Sequence, residues 1–354
     1  MTVVIVASVA KALPPHRYEQ EAILAAVRSR WAANDARART ARLESLHRKV
    51  LVGARHLALP LERYASLDGL GAANDAWIEE ATRLGAAVVR EALERSGVDP
   101  SRVGAFYFAS VTGLATPSID ARVMNVVSLP ATTKRVPIFG LGCVAGAAGI
   151  ARAADYVKAF PDEAALLLAV ELCSLTIQWD DVSLANQIAS GLFGDGAAAA
   201  VVAGERCPAA GPRVLATRSV FYPDSERAMG WDVSERGFRV VLSPAVPQLV
   251  RERLRHDVDS FLADHGTSRR EIGSWVCHAG GPRVLEAVEE ALELPSGALE
   301  LTWRSLHDVG NLSSASVLFV LADTIAERRP APGTRGVLLA MGPGFCSELV
   351  LLEW

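Results

Sequence analysis

The two halves of this 354-residue chain follow one plan, and a duplication constrains the fold more than any single motif, because each half must bury the same kind of surface. Three pairs of segments carry the repeat. Residues 101–110 (SRVGAFYFAS) parallel residues 269–278 (RREIGSWVCH), each a short apolar strand after a polar turn. Gly142-Cys143 ahead of residues 144–158 corresponds to Gly310-Asn311 ahead of residues 312–325, small or polar residues opening a helix that is apolar nearly all round. Phe193-Gly194-Asp195-Gly196 before the apolar run 197–202 echoes Met341-Gly342-Pro343-Gly344 near residues 348–352.

Apolar runs without alternation, residues 164–170 and 336–340, read as central strands covered on both faces. Residues 1–10 read as a first strand: they lack a basic leader, and Lys11, Pro14, Pro15 and His16 follow at once. Residues 76–96 and 247–265 carry apolar stripes at helical spacing. The expected fold is a layered α/β/α/β/α protein of two similar halves, residues 1–210 and 211–354, joined where Cys207-Pro208-Ala209-Ala210-Gly211-Pro212 breaks regular structure.

A formal net charge of −4 argues against nucleic acid as the main partner, since such proteins carry a basic excess. One segment departs from that balance. Arg28, Arg30, Arg37, Arg39, Arg42, Arg48, Lys49 and Arg55 outnumber Asp35 and Glu44, which suits either a solvated helix face or phosphate contacts. The five cysteines are odd in number, widely spaced and without a CxxC pair, so neither a zinc site nor a disulfide framework is expected. A reducing cytoplasm fits that usage. No apolar run reaches the ~18 residues of a membrane span.

Cys143 stands among glycines and alanines where a strand hands over to a helix, and a helix N-terminus favours a thiolate through its free N–H groups and macrodipole. Packing of a small apolar residue is the plain alternative. The repeat sets Asn311 at the twin helix start and His278 at the end of a strand in the second half, so the three would converge on one cavity. Histidine can hold the cysteine as a thiolate–imidazolium pair, and imidazole and carboxamide N–H groups can stabilise a developing oxyanion. Asparagine is also a favoured N-cap, which by itself explains Asn311. The order Cys, His, Asn occurs in papain-like hydrolases too, but those place the cysteine near the mature N-terminus.

The surrounding motifs discriminate. Gly142-Cys143-Val144-Ala145-Gly146, Leu192-Phe193-Gly194-Asp195-Gly196, His278-Ala279-Gly280-Gly281-Pro282, Gly310-Asn311-Leu312-Ser313-Ser314 and Gly342-Pro343-Gly344 together resemble the signature set of type III polyketide synthases, the chalcone synthase family, over nearly the whole chain. Residues 112–122 and 170–175 are most similar to bacterial alkylresorcinol and alkylpyrone synthases.

The resemblance implies a thiolase fold, a homodimer, acyl-CoA and malonyl-CoA as substrates, and no metal or redox cofactor. It makes Cys143 the acceptor of the starter acyl group, His278 and Asn311 the donors to the malonyl thioester carbonyl, and Phe193 a gatekeeping aromatic. It assigns the pocket to Thr112, Thr116, Glu171, Cys173, Thr176, Gly237, Ser313, Gly342, Pro343 and Gly344, and CoA contacts to Arg42, Lys49, Arg55 and Arg283. Plant relatives that close rings by aldol condensation activate a water between threonine, glutamate and serine; this chain has Glu171 and Ser313 but Val111 at the threonine position, so an α-pyrone and a resorcinol are both open. Small residues at Ala115, Gly237 and Ala279 suggest room for a medium or long fatty acyl starter. A single-round ketoacyl synthase III-like enzyme shares the three catalytic residue types, but His-Ala-Gly-Gly-Pro and Gly-Pro-Gly favour the iterative family. A lipid-binding protein with a dead site is the reading from another class, and it would leave Cys143 without a chemical task.

Overall fold

A computed structural model describes residues 3–31 and 37–354. Asp35 of the basic segment and the first two residues of the N-terminal strand reading lie outside them, as do the side chains of Arg37 and Arg39. Nine strands form one sheet in the order β11-β12-β13-β8-β1-β7-β6-β4-β5. Its first-half arm is β1 (Val4–Ala12), β4 (Val103–Ala109), β5 (Lys134–Ile138), β6 (Ala164–Leu172) and β7 (Asp195–Gly204). Its second-half arm is β8 (Arg213–Phe221), β11 (Ile272–Cys277), β12 (Arg335–Gly342) and β13 (Cys346–Glu353). Among the described residues, the arms meet in the sheet at the Ile5–Arg213 pair of β1 and β8, beside a bond from Val6 N–H to Pro212 O (2.9 Å). Two small hairpins lie outside this sheet, β2 (His16–Glu19) with β3 (Ala54–Leu57) and β9 (Met229–Ser234) with β10 (Gly237–Leu242).

Helices fill three layers around the arms. On the outer face of the first arm, Leu84 and Val88 of α3 (Gly69–Ser96) pack with Phe106, Leu168 and Val201. Between the arms run α5 (Ala145–Ala159) and α10 (Ser316–Asp323), whose Ile150 and Leu318 join one core with Leu167 and Leu338 from opposite arms. Outside the second arm, α7 (Val246–Asp264) and α8 (Pro282–Leu292) bring Leu254 and Leu285 onto Trp275 and Leu351. Burial on both faces explains the unbroken apolar run of β6, in which Leu166, Leu167 and Leu168 are all fully buried, each worth roughly 1.5–3 kcal/mol of transfer free energy. Among the described residues, no helix is long and apolar enough to cross a membrane.

Small residues let α5 pass through the middle layer. A Cβ on Gly146 would lie 2.2 Å from the Ser314 carbonyl oxygen, in the turn that leads into α10. Gly146→Ala therefore forces the two helix starts apart. We expect a loss of roughly 1–3 kcal/mol in urea unfolding, together with impaired condensation, since Ser314 adjoins the site described next; an unchanged midpoint would refute the close packing.

Candidate active site

Cys143 lies in a one-turn 3-10 segment, Gly142–Val144, that feeds α5. Gly142 has φ +51°, and the place of its missing Cβ is taken by Pro343, whose Cδ would sit 2.9 Å away. A Cβ on Gly342 would meet the Val144 nitrogen at 2.6 Å. The Gly-Pro-Gly loop between β12 and β13 thus seats against the nucleophile turn, and only glycine permits that approach.

His278 follows β11 and is anchored by its own N–H to the Leu339 carbonyl at 2.9 Å. Asn311 precedes α10; its N–H donates to Leu192 O (2.9 Å), and its carbonyl accepts from Gly194 N–H (3.0 Å), a bridge that spans Phe193. The carboxamide is oriented by its neighbours. Its Oδ1 accepts from Ser313 N–H at 2.8 Å, and Nδ2 donates to Gly280 O at 3.3 Å. Asn311, one residue before the N-cap Leu312, thus holds the first N–H of the Ser313–Ala315 turn through Oδ1 and turns Nδ2 away from it. Ser313 holds φ +47° and places its Oγ 3.7 Å from Cys143 Sγ. Cys143, His278, Asn311 and Phe193 line one cavity of about 640 Å³.

Burial works against the charged forms expected in that cavity. It pushes the Cys143 thiol up to about 12 and the His278 imidazole down to about 4. Both imidazole nitrogens lack a hydrogen-bond partner among the described residues. Burial thus disfavours the charged form of each group taken alone, and a thiolate–imidazolium pair would need the attraction between the two to offset that cost. We expect the iodoacetamide alkylation rate of Cys143 in the free enzyme to keep rising above pH 9; a plateau below pH 8 would establish the ion pair instead.

The sequence profile of the N-terminal domain of chalcone and stilbene synthases matches residues 2–206, and that of the C-terminal domain matches residues 213–353. The chain belongs to this family. It is a type III polyketide synthase, an acyltransferase that builds by decarboxylative condensation. A 1,3,6,8-tetrahydroxynaphthalene synthase of Streptomyces peucetius subsp. caesius is 51% identical over 99% of this chain and 93% of its own. A phloroglucinol synthase of Pseudomonas fluorescens is 33% identical over 86% of each. The crystal structure of 1,3,6,8-tetrahydroxynaphthalene synthase from Streptomyces coelicolor A3(2), described as a bacterial type III polyketide synthase, superposes with a TM-score of 0.93 at 30% identity, covering 100% of this chain and 99% of that one.

In this synthase Thr112, Cys173, Ser313 and Pro343 also line the chamber, and burial raises the Cys173 thiol well above its ordinary range. The other expected pocket residues lie elsewhere. Glu171 is fully buried behind the wall, its oxygens accepting from Thr112 Oγ1 (2.9 Å), Val111 N–H (3.2 Å) and Ser314 Oγ (2.6 Å), while burial raises its pKa. Of the two neighbouring serines it is Ser314, not Ser313, that donates to Glu171. Thr116 is exposed on the loop before α4 (Ile119–Met124), because that loop runs over the surface. Thr176 faces a second cavity, a Cβ on Gly237 would meet Gln178, and Gly342 and Gly344 lie off the chamber wall in the loop that carries Pro343.

Of the basic residues, exposed Lys49 and Arg283 flank the chamber. Arg42 is turned to Gln187 Oε1 at 3.1 Å, and Arg55 is buried at 3% exposure beneath Phe193, away from any phosphate arriving outside. Sequence reasoning missed the β9–β10 hairpin, whose Trp231 and Val240 close the chamber. It also missed the second cavity, of about 350 Å³, which shares Phe193, Cys173, Trp231 and Val240 with the first. The one signal for that hairpin was its Trp231 and its Val240-Val241-Leu242 run, which read equally as an ordinary surface ribbon.

Proposed function

We propose that this type III polyketide synthase primes itself with malonyl-CoA and extends with malonyl-CoA to give 1,3,6,8-tetrahydroxynaphthalene. The observation that carries the product is the 51% identity, spread over 99% of the chain, to the Streptomyces peucetius synthase of that name. The chemistry rests on the cavity joining Cys143, His278 and Asn311. Sγ attacks the primer thioester as its proton passes to His278, and CoA thiolate leaves and takes a proton. The extender then binds with its thioester oxygen toward imidazole and Asn311 Nδ2, which stabilise the enolate formed as CO2 departs. The enolate carbon attacks the Cys143 thioester, and the lengthened chain returns to sulfur for the next round. Five malonyl-CoA account for one tetrahydroxynaphthalene, five CO2, five CoA and one water, so no oxidant is required.

CoA is proposed to rest its phosphates on Lys49 and Arg283 at the mouth. A homodimer is proposed through the outer edge of β5, where Val136 and Phe139 are exposed beside a strand edge with no neighbour in the sheet.

The fatty acyl starter and alkylpyrone or alkylresorcinol product form the second reading, favoured by the second cavity and its apolar Ile23, Val27 and Leu57. One assay separates the two. Purified enzyme is given malonyl-CoA alone, or malonyl-CoA with lauroyl-CoA, and products are identified by mass. Tetrahydroxynaphthalene from malonyl-CoA alone is the expected result; its absence, with lauroyl-derived pyrones or resorcinols in the second reaction, would transfer the assignment to the second reading.

A further inference from the structure

The second cavity has one polar group that the condensation chemistry leaves without a task. Arg55 on β3 is 3% exposed and lines this cavity. Its Nη1 donates to the Phe193 carbonyl at 2.7 Å and its Nε to Gln20 Oε1 at 3.2 Å, while Nη2 has no partner among the described residues. Burial lowers its pKa only to about 10, so the guanidinium keeps its charge at neutral pH. The nearest carboxylate does not satisfy it. Asp195 accepts from Ala58 N–H (2.6 Å), Ser174 N–H (2.8 Å) and Ser174 Oγ–H, and makes no hydrogen bond to Arg55. A buried cationic donor left unbonded is costly, by about 1–3 kcal/mol or more; Nη2 itself is sealed in, so an oxygen entering the adjoining cavity reaches it only as the cavity wall gives way.

That cavity meets the reaction chamber across Phe193 and Cys173, which line both, and ends among the exposed residues Ser29, Arg30 and Ala65. A chain growing on Cys143 moves its primer end away from sulfur with each condensation, and a turn of the shared Phe193 side chain would give that end a route onward. We propose that Arg55 receives a carboxylate at the primer end of the growing chain, so that the second cavity selects malonyl-primed over alkyl-primed intermediates. This rests on the malonyl priming proposed above. Priming would exchange CoA sulfur for Cys143 Sγ at the thioester carbon and leave the primer's far carboxylate intact. Paired with Arg55, that carboxylate is held as an anion against a cation until ring closure. It then leaves as CO2, its bonding electrons staying on the adjacent carbon as an enolate that takes a proton from water, which is one of the five CO2 already counted.

The test compares primers in one enzyme. Wild type, Arg55→Met and Arg55→Lys are assayed with malonyl-CoA alone and with hexanoyl-CoA plus malonyl-CoA. The ratio of malonyl-primed to hexanoyl-primed product should fall at least about tenfold in Arg55→Met, the worth of one charge-assisted hydrogen bond, and recover in part in Arg55→Lys. Arg55 also supports Phe193, so a purely structural role would reduce both products by the same factor and overturn the proposal. Ala26→Phe, which fills the same cavity from α1 (Gln20–Trp31) without touching the Arg55 bonds, should lower the ratio as well and covers the case in which Arg55 variants fail to fold. Acid-quenched wild-type enzyme should carry carboxylated chains on Cys143 by peptide mass; chains lacking the carboxylate would overturn the proposal while leaving malonyl priming intact. Wild type that makes no malonyl-primed product would overturn both.

Discussion

Cys143→Ala yields a folded protein that loads no acyl group, with condensation reduced on the order of a thousandfold or more. The fold tolerates it because the sulfur contributes little to packing: Cys143 is half-buried, and among the described residues its one side-chain polar contact is the 3.7 Å approach to Ser313 Oγ. Alanine keeps the Cβ and favours the helix that follows. The chemistry does not tolerate it, since no second nucleophile stands in the same place. Cys173 lines the chamber, but burial raises its thiol well above its ordinary range. Intact mass after exposure to acyl-CoA and acid quench reads the loading directly. Decarboxylation of malonyl-CoA should persist in the variant, because the groups facing that oxygen, His278 and Asn311, are untouched. Loading that survives in Cys143→Ala would move the nucleophile elsewhere and remove the basis for the mechanism.

The fold was legible to the extent that the duplication was. Residues 101–110 and 269–278 become β4 and β11, each after a short 3-10 turn, and the two Gly-X helix starts become the entries to α5 and α10. Unalternated apolar runs were reliable guides to β6 and β12 because both faces of each strand are covered. Electrostatics was less legible. A cysteine at a helix start reads as a thiolate, yet how far water reaches it depends on residues distant in sequence, and here burial works against the anion. The same limit applies to Arg55. In sequence it is one more member of a basic segment, and only the pairing of β3 with β2 and the Phe193–Asn311 bridge show that it lies inside the molecule. Cavity walls assembled from five or six separated segments leave no periodic trace, so Glu171 and Ser313 read as partners although the structure pairs Glu171 with Ser314.

Asn311 has two tasks in one side chain, and they can be separated. Oδ1 serves the fold by accepting from Ser313 N–H, while the Nδ2 hydrogen not given to Gly280 O is free for an extender oxygen. Asn311→Ala removes both, and we expect decarboxylation to fall about 100- to 1000-fold with about 1 kcal/mol of stability lost from the cap. Asn311→Asp keeps the acceptor at the start of the Ser313–Ala315 turn but has no N–H to offer and adds a negative charge where the enolate must form. It should therefore decarboxylate no better than the alanine variant. Acyl loading on Cys143 should survive in both, because Sγ attack on the primer precedes extender binding. Release of CO2 from malonyl-CoA, read beside loading by intact mass, makes the comparison. Decarboxylation retained by Asn311→Asp would show that the carboxamide acts only as a cap, and the oxyanion would then rest on His278 alone.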